Sequence, residues 1–367
     1  MERFKVKSKK IIFIIVILVI VCFGISLLLG RFLGNKYKGI ITEISKEERE
    51  KDSFSLTEKK NLEQNVLELY GDKISKKSSY NNPIIPEGFK KVETDTASWE
   101  IENEVPKGWD NGLVIEDDIG NQFVWIPCRI ALDLSTIKVY KNIIDNTYNE
   151  EEFLQLVNYE GFYISRYEAG LPNEIVTNAI EFNNITNNVE GFPLSQKDQI
   201  VWNFIDWKTA KNNAQHMYNK ENLKSNLPTF QQYKFISNWL SNNETIDITD
   251  SKNYGNYSNI NFTFTGYYSD NYGKTYQYSE NKNKKSENIL LSTGASERNK
   301  TNNIYDLAGN VAEFLDVYKI IHNNKIENSY SCIGGYYDNI SKYSITSITG
   351  INKANSIQGF RIVLYQK

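Results

Sequence analysis

Asn303-Ile304-Tyr305-Asp306-Leu307-Ala308-Gly309-Asn310-Val311-Ala312-Glu313-Phe314 is the stretch on which the reading of this chain turns. Two carboxylates, Asp306 and Glu313, fall within eight residues, with Gly309 and Val311 between them. Hard cations such as calcium take several oxygen ligands from a flexible loop, and side-chain carboxylates plus backbone carbonyls of this turn are one such supply. The same residues have a plainer use. Asp306 and Glu313 can cap turns or accept backbone N–H groups with no metal present, and Gly309-Asn310 alone marks only a turn. The residues themselves leave both readings open.

Outward from this stretch, the chain reads as short strands, two helices and long connections. Residues 111–127 run apolar, acidic with a glycine, then apolar again, which predicts a hairpin. Phe162-Tyr163-Ile164-Ser165-Arg166-Tyr167-Glu168 predicts a further strand, and residues 359–365 a closing one. Trp207, Ala210, Ala214 and Met217 recur at helical spacing, as do Tyr233, Ile236, Trp239 and Leu240 behind Pro228-Thr229. Residues 242–303 are rich in Asn, Ser, Tyr and Lys and weakly periodic, which predicts surface loops with short strands. Such a mixture is an irregular α+β domain.

Five segments, in this order, resemble the formylglycine-generating enzyme (sulfatase-modifying factor) family. They are Phe123-Val124-Trp125-Ile126-Pro127; Gly161 through Glu168; Trp207 and Ala210 followed by Leu227-Pro228-Thr229; the opening stretch, which is close to the family's N-x-Y-D-M-x-G-N-V-W-E-W; and Gly334-Gly335-Tyr336 with Gly359-Phe360-Arg361. The resemblance covers roughly residues 110–367 and implies an elaborated C-type-lectin-like fold with much irregular structure. It also implies a calcium ion held by Asp306, Gly309, Val311 and Glu313, with Asp306 standing where relatives often carry Asn.

The family's oxidase members place two cysteines just after the Gly-Gly pair to bind copper(I), a soft ion that thiolates suit. Here Gly334-Gly335 is followed by Tyr336-Tyr337-Asp338-Asn339, with no cysteine, so copper is not expected. Cys332 precedes the glycines and Cys128 lies far upstream; they are open to pairing as a disulfide or to remaining two free thiols. Iron-dependent ergothioneine-type relatives use histidines, but His216 and His322 match no such motif. His216 is expected on the polar edge of a helix, and His322 in a hairpin turn with Asn323, Asn324 and Lys325. The expectation is a binding module without catalysis, its ligand surface (for a protein or a glycan) on the loops near 336–358 and 254–280, with Tyr336, Tyr337 and Asp338 as candidate contacts. An enzyme of the same family using other residues is the alternative.

The N-terminal end adds a membrane. Ile11 to Gly30 is uncharged and apolar throughout, and a bilayer core needs roughly 20 such residues in a helix. A cleaved signal has an apolar core of about 7–15 residues and a small-residue cleavage site; here Arg31-Phe32-Leu33-Gly34 follows instead. Arg3, Lys5, Lys7, Lys9 and Lys10 precede the run, so the positive-inside rule keeps residues 1–10 cytoplasmic and exports the rest. The expected order is basic tail 1–10, membrane helix 11–30, charged helical stalk 31–82 and extracytoplasmic domain 83–367. A minor cell-surface filament subunit is a third reading of the same helix. A net charge of −3 gives no ground for a nucleic-acid partner.

Overall fold

A computed structural model describes residues 83–128, 155, 159–172, 189–242, 246–270, 273, 275–285, 288–316, 318–322, 325–329, 331–340, 345, 348–350 and 354–366. The Ile11–Gly30 run and the 31–82 stalk lie outside them. Among the described residues no helix is long and apolar enough to cross a membrane.

The chain is mixed α+β and mostly strand. Its main sheet has six strands in the order Phe89–Val92, Val114–Asp117, Gln122–Pro127, Gly161–Ser165, Val363–Gln366 and Leu223–Asn226, every neighbouring pair antiparallel. The central strands are apolar at consecutive positions because both faces are covered. Phe123, Trp125, Tyr163 and Leu364 enter one core cluster, while Val124, Ile126, Phe162, Ile164 and Val363 enter another. Each cluster takes one helix. Ala210 and Ala214 of the Trp207–Met217 helix join the first; Tyr233, Ile236, Trp239 and Leu240 of the Phe230–Asn242 helix join the second.

Both helices begin where their sequences say they should. Asp206 precedes the first and accepts from the Thr209 N–H at 2.8 Å. Thr229 and Gln232 form a reciprocal capping box at the start of the second: Gln232 N–H donates to Thr229 Oγ1 at 3.1 Å and Thr229 N–H to Gln232 Oε1 at 2.9 Å.

Two smaller sheets complete the frame around the decisive stretch. One has four strands in the order Ile348–Gly350, Ser331–Ile333, Ala312–Phe314 and Gln358–Gly359, the last pair parallel. The other pairs Leu290–Leu291, Thr263–Ser269 and Gln277–Lys284. Residues 242–303 were expected to form surface loops with short strands, and two of the strands here reach seven and eight residues. The Gln277–Lys284 strand is exposed along most of its length, so solvent contact on both faces erases the alternation that would have marked it. Its partner bends at a bulge between Phe264 and Gly266. Gly266 sits at φ +87°, where an added Cβ would stand 2.6 Å from Ser292 Oγ.

The closing strand is corrected. Pairing stops at Gly359 and resumes at Val363. Between them Ser165 N–H donates to Ile362 O at 2.8 Å and Ala169 N–H to Phe360 O at 2.9 Å, and the Arg361 side chain turns inward. His322 ends the Tyr318–His322 strand and pairs with Lys325, the first residue of the antiparallel Lys325–Ser329 strand, so the hairpin is present; Asn323 and Asn324 lie outside the described residues.

Candidate functional site

The decisive stretch crosses the centre of the domain and is buried throughout. Its first residue, Asn303, donates from Nδ2 to Gly112 O at 2.9 Å and to Thr94 Oγ1 at 3.0 Å, tying it to the N-terminal strands. Asp306 and Asn310 both adopt left-handed backbone, φ 56° and 55°. Asn and Asp accept that conformation more readily than most residues. Gly309 lies at φ +74°, and a Cβ there would stand 2.2 Å from Asn256 O, so nothing larger than glycine fits.

Three carboxylates and one guanidinium meet here. Glu168, Asp306, Glu313 and Arg361 are 0%, 2%, 1% and 0% exposed. Glu313 Oε1 accepts from Arg361 Nε at 2.8 Å and faces Nη2 at 2.6 Å. Arg361 Nη1 donates to Ser165 O at 2.9 Å and Nη2 to Tyr305 O at 2.8 Å. Glu168 Oε2 accepts from Asn310 Nδ2 at 2.5 Å and Oε1 from Val311 N–H at 3.2 Å. Asp306 accepts from Gly294 N–H at 2.9 Å and Asn299 Nδ2 at 3.1 Å. Asn310 uses its other side-chain valences on Asn256 and Leu291.

Burial dominates the electrostatics. It pushes Asp306 up to about 6, against the pull of the Gly294 and Asn299 hydrogen bonds and the Arg361 charge. Glu168 rises well above the usual carboxylate range, first through burial and then through the Asp306 and Glu313 charges. Glu313 is also raised by burial, which the Arg361 charge opposes. Ion pairs this deep are weak sources of net stability, but removing one partner is costly.

The two carboxylates expected to hold calcium already accept hydrogen bonds from nitrogen. Both Asp306 oxygens accept N–H groups, Glu313 Oε1 belongs to Arg361, and Glu313 Oε2 is the carboxylate oxygen left without a partner. Gly309 N–H donates to Gly334 O at 2.9 Å, which fixes the turn below and leaves its carbonyl oxygen out of that bond. One free carboxylate oxygen beside a guanidinium is a poor start for an ion that takes six to eight oxygens. Among the described residues no group of three or more His, Cys, Asp or Glu side chains is placed to hold a metal.

The node fixes the surface segment in which a ligand site is expected. Tyr337 N–H donates to Asn310 O at 2.9 Å, and Tyr337 itself is fully buried, its hydroxyl 3.3 Å from Ser356 Oγ. It is a core residue, which corrects its expected place on the ligand surface. Tyr336 is half-buried and Asp338 exposed. Asn339 Oδ1 accepts from Tyr336 N–H at 3.1 Å, and Asn339 O accepts from Ser258 N–H and Oγ at 2.8 and 2.9 Å. Asn288 Nδ2 donates to Asp338 Oδ1. Ile340 follows with 48% of its surface exposed.

Cys128 and Cys332 are not joined to each other, so the disulfide left open by the sequence is not formed. Cys128 follows the Gln122–Pro127 strand and packs in the cluster of Val124 and Ile126; Cys332 packs in the other cluster with Phe314 and Phe360. Burial, then the Glu313 charge, pushes the Cys332 thiol up, away from the reactive thiolate. His216 is exposed on its helix, with Nδ1 2.7 Å from Asn212 O.

Sequence reasoning assigned no role to Glu168 or Arg361. The available signal was charge in two otherwise apolar strand ends, Arg166 and Glu168 in Gly161 to Glu168 and Arg361 in Phe360-Arg361-Ile362-Val363. A charge in such a place needs an internal partner. No family model matches the chain, and no curated protein does. Among solved structures, the crystal structure of CarF is similar over 56% of this chain and 87% of its own, at 15% identity and a TM-score of 0.33. A likeness that slight leaves family and activity to the residues themselves.

Proposed function

We propose that this chain is a membrane-anchored, extracytoplasmic binding protein whose domain, of the formylglycine-generating-enzyme-like and C-type-lectin-like kind, displays a ligand surface and performs no copper-dependent oxidation. The observation that carries the reading is the segment after Gly334-Gly335. Where paired thiolates would sit, it presents a half-buried Tyr336, an exposed Asp338 and an exposed Ile340. Tyrosine supplies a large contact face and a hydroxyl at low entropy cost. The hydrogen bonds from Ser258 and Asn288 hold the segment in place before any ligand arrives. A surface ordered in advance loses less on binding.

The buried thiols support the same reading. Cys128 and Cys332 lie in separate clusters, 2% and 0% exposed, and neither faces the Gly334-Gly335 turn as a pair. The anchor rests on the apolar run and the basic residues before it. The test is an array of glycans and extracellular-matrix proteins probed with the detergent-solubilised full chain. A ligand should bind, and Tyr336→Ala with Asp338→Ala should weaken it at least tenfold, since each lost contact is of order 1 kcal/mol or more. Binding that survives both substitutions unchanged contradicts the placement.

A further inference from the structure

We infer that the cation of the central motif is the Arg361 guanidinium, and that the domain assembles around it without calcium. Glu313 and Asp306 are the two carboxylates a metal would need, and each is already answered by nitrogen. Arg361 approaches Glu313 Oε1 with Nε at 2.8 Å and Nη2 at 2.6 Å, a fork closed on a single oxygen. Its remaining donors end on Ser165 O and Tyr305 O, so the guanidinium joins the main sheet, the motif and the chain's last segment in one stroke. Asp306 is turned from the Glu313 ion pair to Gly294 N–H and Asn299 Nδ2. Reaching Arg361 is also what interrupts the closing strand between Gly359 and Val363.

A divalent ion set against this arrangement would have to share each Asp306 oxygen with an N–H donor and share Glu313 with a fixed positive charge. Like charges in a dry interior repel strongly. The free Glu313 Oε2 is then a carboxylate oxygen whose charge is met from the Arg361 side. The inference stands apart from whatever the surface binds: a calcium-free core serves a binding module and an enzyme equally.

The test measures melting of the solubilised full chain in chelator and in excess calcium, with calcium content determined after dialysis. The two melting temperatures should coincide, and retained calcium should fall far below one equivalent. Arg361→Gln should lower the melting temperature equally with and without calcium, and adding Glu313→Gln to it should recover part of the loss by removing the stranded charge. One tightly held calcium per chain, a chelator-induced drop of several degrees in the unsubstituted chain, or rescue of Arg361→Gln by calcium would each overturn the inference. The comparison on the unsubstituted chain decides the matter even where Arg361→Gln fails to fold.

Discussion

At the scale of the residue, this protein meets buried charge with hydrogen bonds, from nitrogen donors at the central carboxylates and to backbone carbonyls at Lys285. Lys285 is fully buried and donates from Nζ to Tyr257 O at 2.5 Å and Ile260 O at 2.9 Å. Arg298, the neighbouring cation, holds Gly255 O at 3.0 Å and shares the Phe262 ring with Lys285. Burial first, then the Arg298 charge, lowers Lys285 to about 8. The folded chain therefore releases this proton near pH 8, whereas the unfolded chain keeps it to about 10.4. With fewer protons bound in the folded state, stability from Lys285 rises with pH across that window. The raised Cys332 thiol pulls the other way, so the informative quantity is a difference. Urea midpoints of the unsubstituted chain, relative to Lys285→Met, should increase between about pH 7.5 and about pH 9.5; a flat difference would refute the burial account. Nothing in the sequence separated Lys285 from the lysines near it, because its carbonyl partners are 25 and 28 residues upstream. Asp306 and Glu313 were legible as a pair of special carboxylates, but their partner was not. Arg361 lies 48 residues from Glu313, and only the fold brings them within 3 Å.

At the scale of the element, local rules explain what could be read and what could not. Helices carry their own faces, so both were readable from spacing, and the second also from Pro228-Thr229 at its start. The box between Thr229 and Gln232 satisfies two N–H groups that would otherwise lack helical partners. Thr229→Ala should cost about 1 kcal/mol of unfolding free energy, measured by chemical denaturation. A loss near zero would mean that packing of Tyr233, Ile236 and Leu240 alone sets the helix start. The Val114–Asp117 and Gln122–Pro127 hairpin was readable for the opposite reason to a surface hairpin: both its faces are covered, and its apolar run is nearly continuous. The Thr263–Ser269 and Gln277–Lys284 pair was not readable. Its polar, exposed second strand carries no two-residue period, and its pairing energy comes from backbone bonds that any sequence can make. The closing segment misled for a third reason. An apolar run predicts pairing, while the need to place Arg361 inside breaks it.

At the scale of the whole molecule, a rigid interior supports a small surface. The node of Glu168, Asp306, Glu313 and Arg361 holds Asn310 and Gly309, and these hold Tyr337 and Gly334 through backbone bonds of 2.9 Å. The exposed turn at 338–340 is thus anchored from beneath rather than draped over the fold. The arrangement suits recognition, and the reading as a non-catalytic binding domain rests on what that turn lacks: two neighbouring, accessible thiols. The most direct measurement is copper(I) titration of the solubilised full chain under reducing conditions, followed by oxygen uptake with a cysteine-containing peptide. The account predicts no tight copper(I) site and no oxygen consumption above the peptide alone. Tight uptake of one copper(I) per chain with oxygen consumed, abolished by Cys128→Ser or Cys332→Ser, would contradict it.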